Sequence, residues 1–80
     1  LHSDIITIHP NPNNGTFTIK TNFDKEEILS IQVYNILGQR IYKQTGLSDN
    51  TIQLPHSAKG IFWVEIMTQS QPFIKKITVK

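Results

Sequence analysis

The residues able to do chemistry are few and widely spaced. The chain carries three histidines, six Asp or Glu residues and no cysteine. The lack of cysteine excludes a disulfide, a thiolate nucleophile and a Cys-ligated metal. A hydrolytic site needs a nucleophile beside a base, or carboxylates facing one another in a cleft, and a metal site needs ligands converging at short spacing. His2, His9 and His56 lie far apart in sequence with no neighbouring ligand pattern, and Asp4, Asp24 and Asp49 stand in terminal or turn-like contexts. Asp in such places closes turns and solvates loops. No catalytic residue, metal ligand or cofactor is assigned, and the chain is expected not to be an enzyme.

Binding chemistry has two candidates. Lys75, Lys76 and Lys80, together with Trp63 and Phe73, are the nearest approach to a basic groove with interleaved aromatics. A net charge of +2 does not call for a polyanion. Lysines on a terminal strand have a commoner use, which is to deter pairing with other chains, so no nucleic-acid partner is expected. Trp63 could stack on a sugar or a base. The favoured reading is a packed or partly covered position, because Trp is usually largely buried even when its tip stays wet.

The elements that must position these residues repeat with period two. Ile6 and Ile8 share a face, and Pro10-Asn11-Pro12 ends that strand by removing two ladder donors. Asn13-Asn14-Gly15 tolerates positive φ and turns the chain into a strand carrying Phe17 and Ile19. Asp24 to Glu27 reads as a charged loop, followed by a strand in which Leu29, Ile31 and Val33 alternate with Ser30, Gln32 and Tyr34. The turn Asn35 to Gln39, with Gly38 available for positive φ, returns the chain through Ile41-Tyr42-Lys43. A brief strand at Ile52 and Leu54 precedes a loop bracketed by Pro55 and Gly60. The strongest strand, Ile61 to Met67, turns Phe62, Val64 and Ile66 inward and Trp63, Glu65 and Met67 outward, and a last strand runs from Phe73 to Val79.

About seven strands with turn signals at short intervals predict an all-β, immunoglobulin-like antiparallel sandwich, with an open barrel of the oligonucleotide-binding type as the competitor. Eighty residues make one domain, 1–80, expected to be a monomer. No apolar run approaches the roughly 20 residues that span a bilayer, so no membrane insertion is expected. An opening Leu1 rather than Met, and an end inside a strand, suggest the last segment of a longer precursor.

Several short motifs then line up. They are Ile8-His9-Pro10-Asn11-Pro12, Gly15 soon after, Val33-Tyr34-Asn35 leading through Gly38 to Ile41, Gly60-Ile61-Phe62 before a strand, and a closing Lys76-Ile77-Thr78-Val79. In this order and over nearly the whole chain they resemble the type A C-terminal sorting domain of type IX (Por) secretion cargo. The resemblance implies a sandwich at the end of a protein exported across the outer membrane of a Bacteroidetes-type bacterium. It further implies that the translocation machinery reads the folded domain in the periplasm, and that a sortase-like surface peptidase removes it and links the cargo to lipopolysaccharide. The cargo would be an upstream domain continuous with this one, ending at the cell surface or secreted. One departure is Asn35, where the family usually has Asp; the side-chain acceptor is kept and the charge is lost.

The residues carrying the resemblance, Pro10, Asn11, Pro12, Gly15, Asn35, Gly38, Gly60, Lys75, Lys76 and Lys80, are the candidate recognition set. Turns alone account for the prolines and glycines. Asn11 and the lysines have no evident architectural duty, so partner contact is expected there first. The reading from another class is an extracellular adhesion or carbohydrate-binding module in which Trp63 and Tyr34 stack on sugar rings.

Overall fold

The computed structural model describes residues 4–47 and 49–80, so His2 and Ser48 lie outside the described residues. Its strands are β1 (Ile6–His9), β2 (Thr16–Thr21), β3 (Ile28–Asn35), β4 (Arg40–Thr45), β5 (Thr51–Gln53), β6 (Gly60–Thr68) and β7 (Pro72–Val79). They form two antiparallel sheets, ordered β1-β2-β5 and β4-β3-β6-β7. This is a seven-stranded sandwich. In the constant-type immunoglobulin arrangement the fourth strand joins the first, second and fifth; here β4 pairs with β3 instead, which makes the second sheet the larger one.

Alternation explains the layers. Phe17, Ile19 and Ile52 of the smaller sheet and Ile31, Val33, Phe62, Val64, Ile66, Ile77 and Val79 of the larger one are buried in a single core. Burying a side chain of this size contributes about 1.5 to 3 kcal/mol, so each in-out register is strongly specified. A slip of one residue would expose every one of them.

Two local expectations are corrected, and the turn before β2 forms where expected. Lys25–Glu27 is a 3-10 turn rather than a loop, begun by Asp24, whose Oδ1 accepts a hydrogen bond from the Glu26 N–H at 2.9 Å. Leu29 does not share the inward face of Ile31 and Val33. A register shift between Ile28 and Ser30 rephases the strand, burying Ile28 and leaving Leu29 49% exposed. In the turn before β2, Gly15 takes positive φ while Asn13 does not. Asn13 is buried and uses its side chain, with Oδ1 accepting from the Gly15 N–H at 2.8 Å and Nδ2 donating to the Pro10 carbonyl at 3.1 Å.

Pro10 and Pro12, both following cis peptide bonds, end β1 as expected. Pairing then resumes on the other sheet. The Asn13 N–H donates to the Thr78 carbonyl at 3.0 Å, and the Lys80 N–H donates to the Asn13 carbonyl at 2.8 Å, a parallel bridge to β7.

Candidate functional site

One end of the sandwich collects most of the motif residues. β3, β7, β1 and β5 run into it and β2, β4 and β6 run out of it, as their registers require. The Leu54 N–H donates to the Gly15 carbonyl at 2.8 Å, and Gly60 pairs with Val79, so the loops of both sheets meet there. Pro10, Asn11, Pro12, Gly15, Asn35, Gly38, Gly60 and Lys80 therefore share this end although they are spread along the whole sequence. Lys75 and Lys76 do not. They lie further back on β7 and on opposite faces, with Lys75 half-buried on the side of Ile77 and Lys76 exposed on the side of Trp63. The basic groove of Lys75, Lys76 and Lys80 is thus not assembled.

Asn11 has an architectural duty after all. Its Oδ1 accepts from the Thr78 N–H at 2.9 Å and its Nδ2 donates to the Lys76 carbonyl at 3.3 Å. Edge strands with open N–H and C=O groups invite pairing. Asn11 and Asn13 together close the end of the β7 edge from within the chain.

The β3–β4 turn is the most prominent feature of this end. Asn35 closes it, as the Asx-type reading anticipates: Oδ1 accepts from the N–H groups of Leu37 at 3.0 Å and Gln39 at 2.9 Å, and Nδ2 donates to Gln39 Oε1 at 2.8 Å. The Gly38 N–H donates to the Asn35 carbonyl at 3.0 Å, and Gly38 sits at φ +83°, the left-handed region that glycine enters at no Cβ cost. A turn so firmly held presents Ile36 and Leu37, 72% and 78% exposed. Two large apolar side chains at a loop tip contribute nothing to the core.

Depressions flank this ridge, and Asn35 borders both. One is lined by Ile41, Pro55, Ser57, Ala58, Lys59 and Phe62. The other, on the outer face of the larger sheet, is lined by Tyr34, Ile36, Gly38, Trp63, Glu65 and Ile74. Trp63 is 42% exposed and paired across the strands with Tyr34, on the outer face expected from its sequence position. Beneath Tyr34, Gln32 accepts at Oε1 from the Tyr34 hydroxyl at 3.2 Å and from Arg40 Nη1 at 3.0 Å, and donates from Nε2 to Glu65 Oε1 at 3.1 Å. This polar row fixes Arg40 at the base of the ridge.

Charge is sorted along the molecule. The loops of the motif end hold Lys59 and Lys80 and no Asp or Glu, while Arg40, the first residue of β4, turns its guanidinium back to Gln32. Of the carboxylates, Asp24, Glu26 and Glu27 lie around the 3-10 turn, Asp49 in the β4–β5 loop and Asp4, with its Oδ2 3.5 Å from Ser70 Oγ, at the far end, while Glu65 of β6 lines the depression beside Ile36. Among the described residues no group of three His, Asp or Glu is placed to hold a metal ion, and no helix is long and apolar enough to cross a membrane.

Sequence reasoning singled out Asn35 and Gly38 but passed over what they display. The signal was present in Ile36-Leu37, an apolar pair inside a turn bracketed by Asn and Gly. Lys59 was also missed, since only the fold brings it beside Lys80.

The family model described as secretion system C-terminal sorting domain matches residues 7–80. No curated protein matches the chain.

Proposed function

This chain belongs to the family of type IX secretion C-terminal sorting domains, and from that premise we propose that residues 1–80 act as one folded address, read at the end that bears the Asn35–Gly38 turn. The translocation machinery engages the sandwich in the periplasm and carries the attached cargo across the outer membrane. A sortase-like peptidase then detaches the domain at the cell surface. The domain is ligand and substrate in these steps, and it supplies no catalytic group.

One observation supports this reading above the others: the motif residues converge on one end of the sandwich, around a turn whose exposed apolar pair the core does not use. Asp4 lies at the opposite end, so a cargo continuous with it would leave the motif end open to a partner.

The test is a fusion of the chain to a fluorescent passenger carrying an inner-membrane export signal, expressed in a bacterium that has the type IX machinery. The passenger is expected at the cell surface or in the medium. A folded, intact fusion that stays in the periplasm would overturn the reading.

A further inference from the structure

We propose that the outer face of the larger sheet binds an acidic oligosaccharide, whose rings stack on Trp63 and Tyr34 between the cations Arg40 and Lys76. The site adjoins the Asn35–Gly38 turn, but it does not depend on the sorting reading.

Strand register carries the inference. Tyr34 pairs with Arg40 on one side and with Trp63 on the other, and Trp63 pairs with Lys76. These four residues therefore form one row across β4, β3, β6 and β7, with two aromatic side chains next to each other and a cation at each end. Neighbouring strands lie about 4.8 Å apart, so the row spans about 14 Å from Arg40 to Lys76. That length suits a short run of sugar rings better than a single small anion. Tyr34, Trp63 and Glu65 also line one depression with Ile36 and Ile74, both exposed.

The polar groups beside the rings narrow the chemistry. Gln32 Oε1 accepts from the Tyr34 hydroxyl and from Arg40 Nη1, and Gln32 Nε2 donates to Glu65 Oε1, which holds these side chains in place. Glu65 keeps its second oxygen as an acceptor, and the guanidinium of Arg40 keeps further donors. Ligand sites combine apolar and aromatic surface with a few fixed polar groups in this way. A sugar ring is the complement, with C–H groups on its face and hydroxyls that donate and accept around its edge.

Charge then selects among sugars. Arg40 and Lys76 close the row and Lys43 stands opposite Gln32 in the next one, whereas Glu65 carries the one carboxylate in these four strands. Acidic substituents on the saccharide match that excess of positive charge.

Other occupants fit less well. A single-stranded nucleic acid would stack on the same rings, but its phosphates offer no proton to Glu65 and call for cations along the strand, not at the two ends of a row. An anionic bilayer is bound by clusters of about 4 to 8 basic residues, more than Arg40, Lys43 and Lys76 supply. A second copy of the domain would set one largely cationic face against another.

The test reads the emission of Trp63, the only tryptophan in the chain. The acidic probes are oligomers of galacturonate, alginate, hyaluronate and heparin. Malto-oligosaccharide is the neutral comparison, and oligothymidylate is the polyanion that can stack. At least one acidic probe is expected to shift the emission saturably and to bind several-fold more tightly than malto-oligosaccharide.

Variants are read by affinity electrophoresis in gels holding the same probe. Trp63→Ala should lose about tenfold or more in affinity, as truncation of a central aromatic contact does. Trp63→Tyr keeps a ring and should retain much of the binding. Lys43→Gln with Lys76→Gln should lose about threefold or more, while Lys20→Gln with Lys59→Gln, an equal loss of charge away from this face, should lose less. Thermal melts confirm folding, and should Trp63→Ala not fold, Tyr34→Leu takes its place.

Silence of all the acidic probes overturns the proposal, as does unchanged binding by the Trp63→Ala chain or equal loss in the two lysine variants. Malto-oligosaccharide bound as tightly as the best acidic probe overturns the selection by charge. Oligothymidylate bound more tightly than every sugar would make the ligand a nucleic acid, and self-association through Trp63, detected by sedimentation, would make it a second copy; either overturns the assignment. Export of the passenger fusion is a separate measurement, so failure here leaves the sorting reading standing.

Discussion

The side-chain amide of Asn11 takes the place of a peptide unit beside Thr78. It accepts from the Thr78 N–H at 2.9 Å and donates to the Lys76 carbonyl at 3.3 Å, continued by the backbone of Asn13 on the same edge. Pro10 and Pro12 have no N–H to offer, so the donor toward β7 comes from the side chain between them. The Pro-Asn-Pro segment is in this sense a short piece of strand, built half from side chain.

Replacing Asn11 by Ala should therefore cost about 1 kcal/mol, the net worth of exposed hydrogen bonds of this kind. Asn11→Asp should fall between, since it keeps the acceptor for Thr78 but turns a carboxylate oxygen toward the Lys76 carbonyl. Urea midpoints read the stability, and amide hydrogen exchange at Thr78 reads the edge. An unchanged midpoint with unchanged exchange would show that the contact is idle.

At the β3–β4 turn Asn35 supplies the acceptor that closes the backbone. Asn35→Asp should stay within about 0.5 kcal/mol, because both backbone donors remain satisfied and only the bond to Gln39 Oε1 is given up. Asn35→Ala should cost about 1 to 2 kcal/mol and speed exchange of the Leu37 and Gln39 amides. Equal stability of the Ala and Asp variants would contradict the Asx closure.

Much of this architecture could be read from alternation. Phe62, Val64 and Ile66 point inward and Trp63 outward as their spacing says, because a strand offers only two faces and burial chooses between them. The reading lost phase at Leu29. Ile28 and Leu29 are both branched and apolar, and which one is buried depends on a bulge against β6, a partner distant in sequence. Asn11 was misjudged for the same reason: its partners Lys76 and Thr78 lie at the other end of the chain. The contact of Lys59 with residue 80 was likewise hidden, because 21 positions separate them in the chain.

The bulge makes a sharp pair of expectations. Ile28→Ala removes a buried side chain and should cost about 2 to 5 kcal/mol. Leu29→Ala trims an exposed one and should change stability by no more than about 0.5 kcal/mol. Chemical denaturation of both variants checks the phase of the strand, and the opposite ranking would place Leu29 in the core.

On β7, neighbouring residues should separate folding from address. Ile77 is buried against Phe62, its cross-strand partner, so Ile77→Ala should cost about 2 to 5 kcal/mol, a large share of the 5 to 15 kcal/mol that stabilises a small domain. Lys76→Gln and Lys80→Gln remove exposed charges and no buried contact. Each should leave the thermal melt unchanged within about 0.5 kcal/mol, and the Lys59 Nζ bond to residue 80 goes to its carbonyl and survives the change. Their export should differ. Lys76 stands beside Trp63 on the outer face of the larger sheet, and its neutralisation should be silent, whereas Lys80 follows β7 beside Lys59 and its loss should slow delivery of a folded passenger. If both lysine variants are exported like the parent while Ile77→Ala stalls, the machinery is asking for a folded sandwich and Lys80 is edge protection.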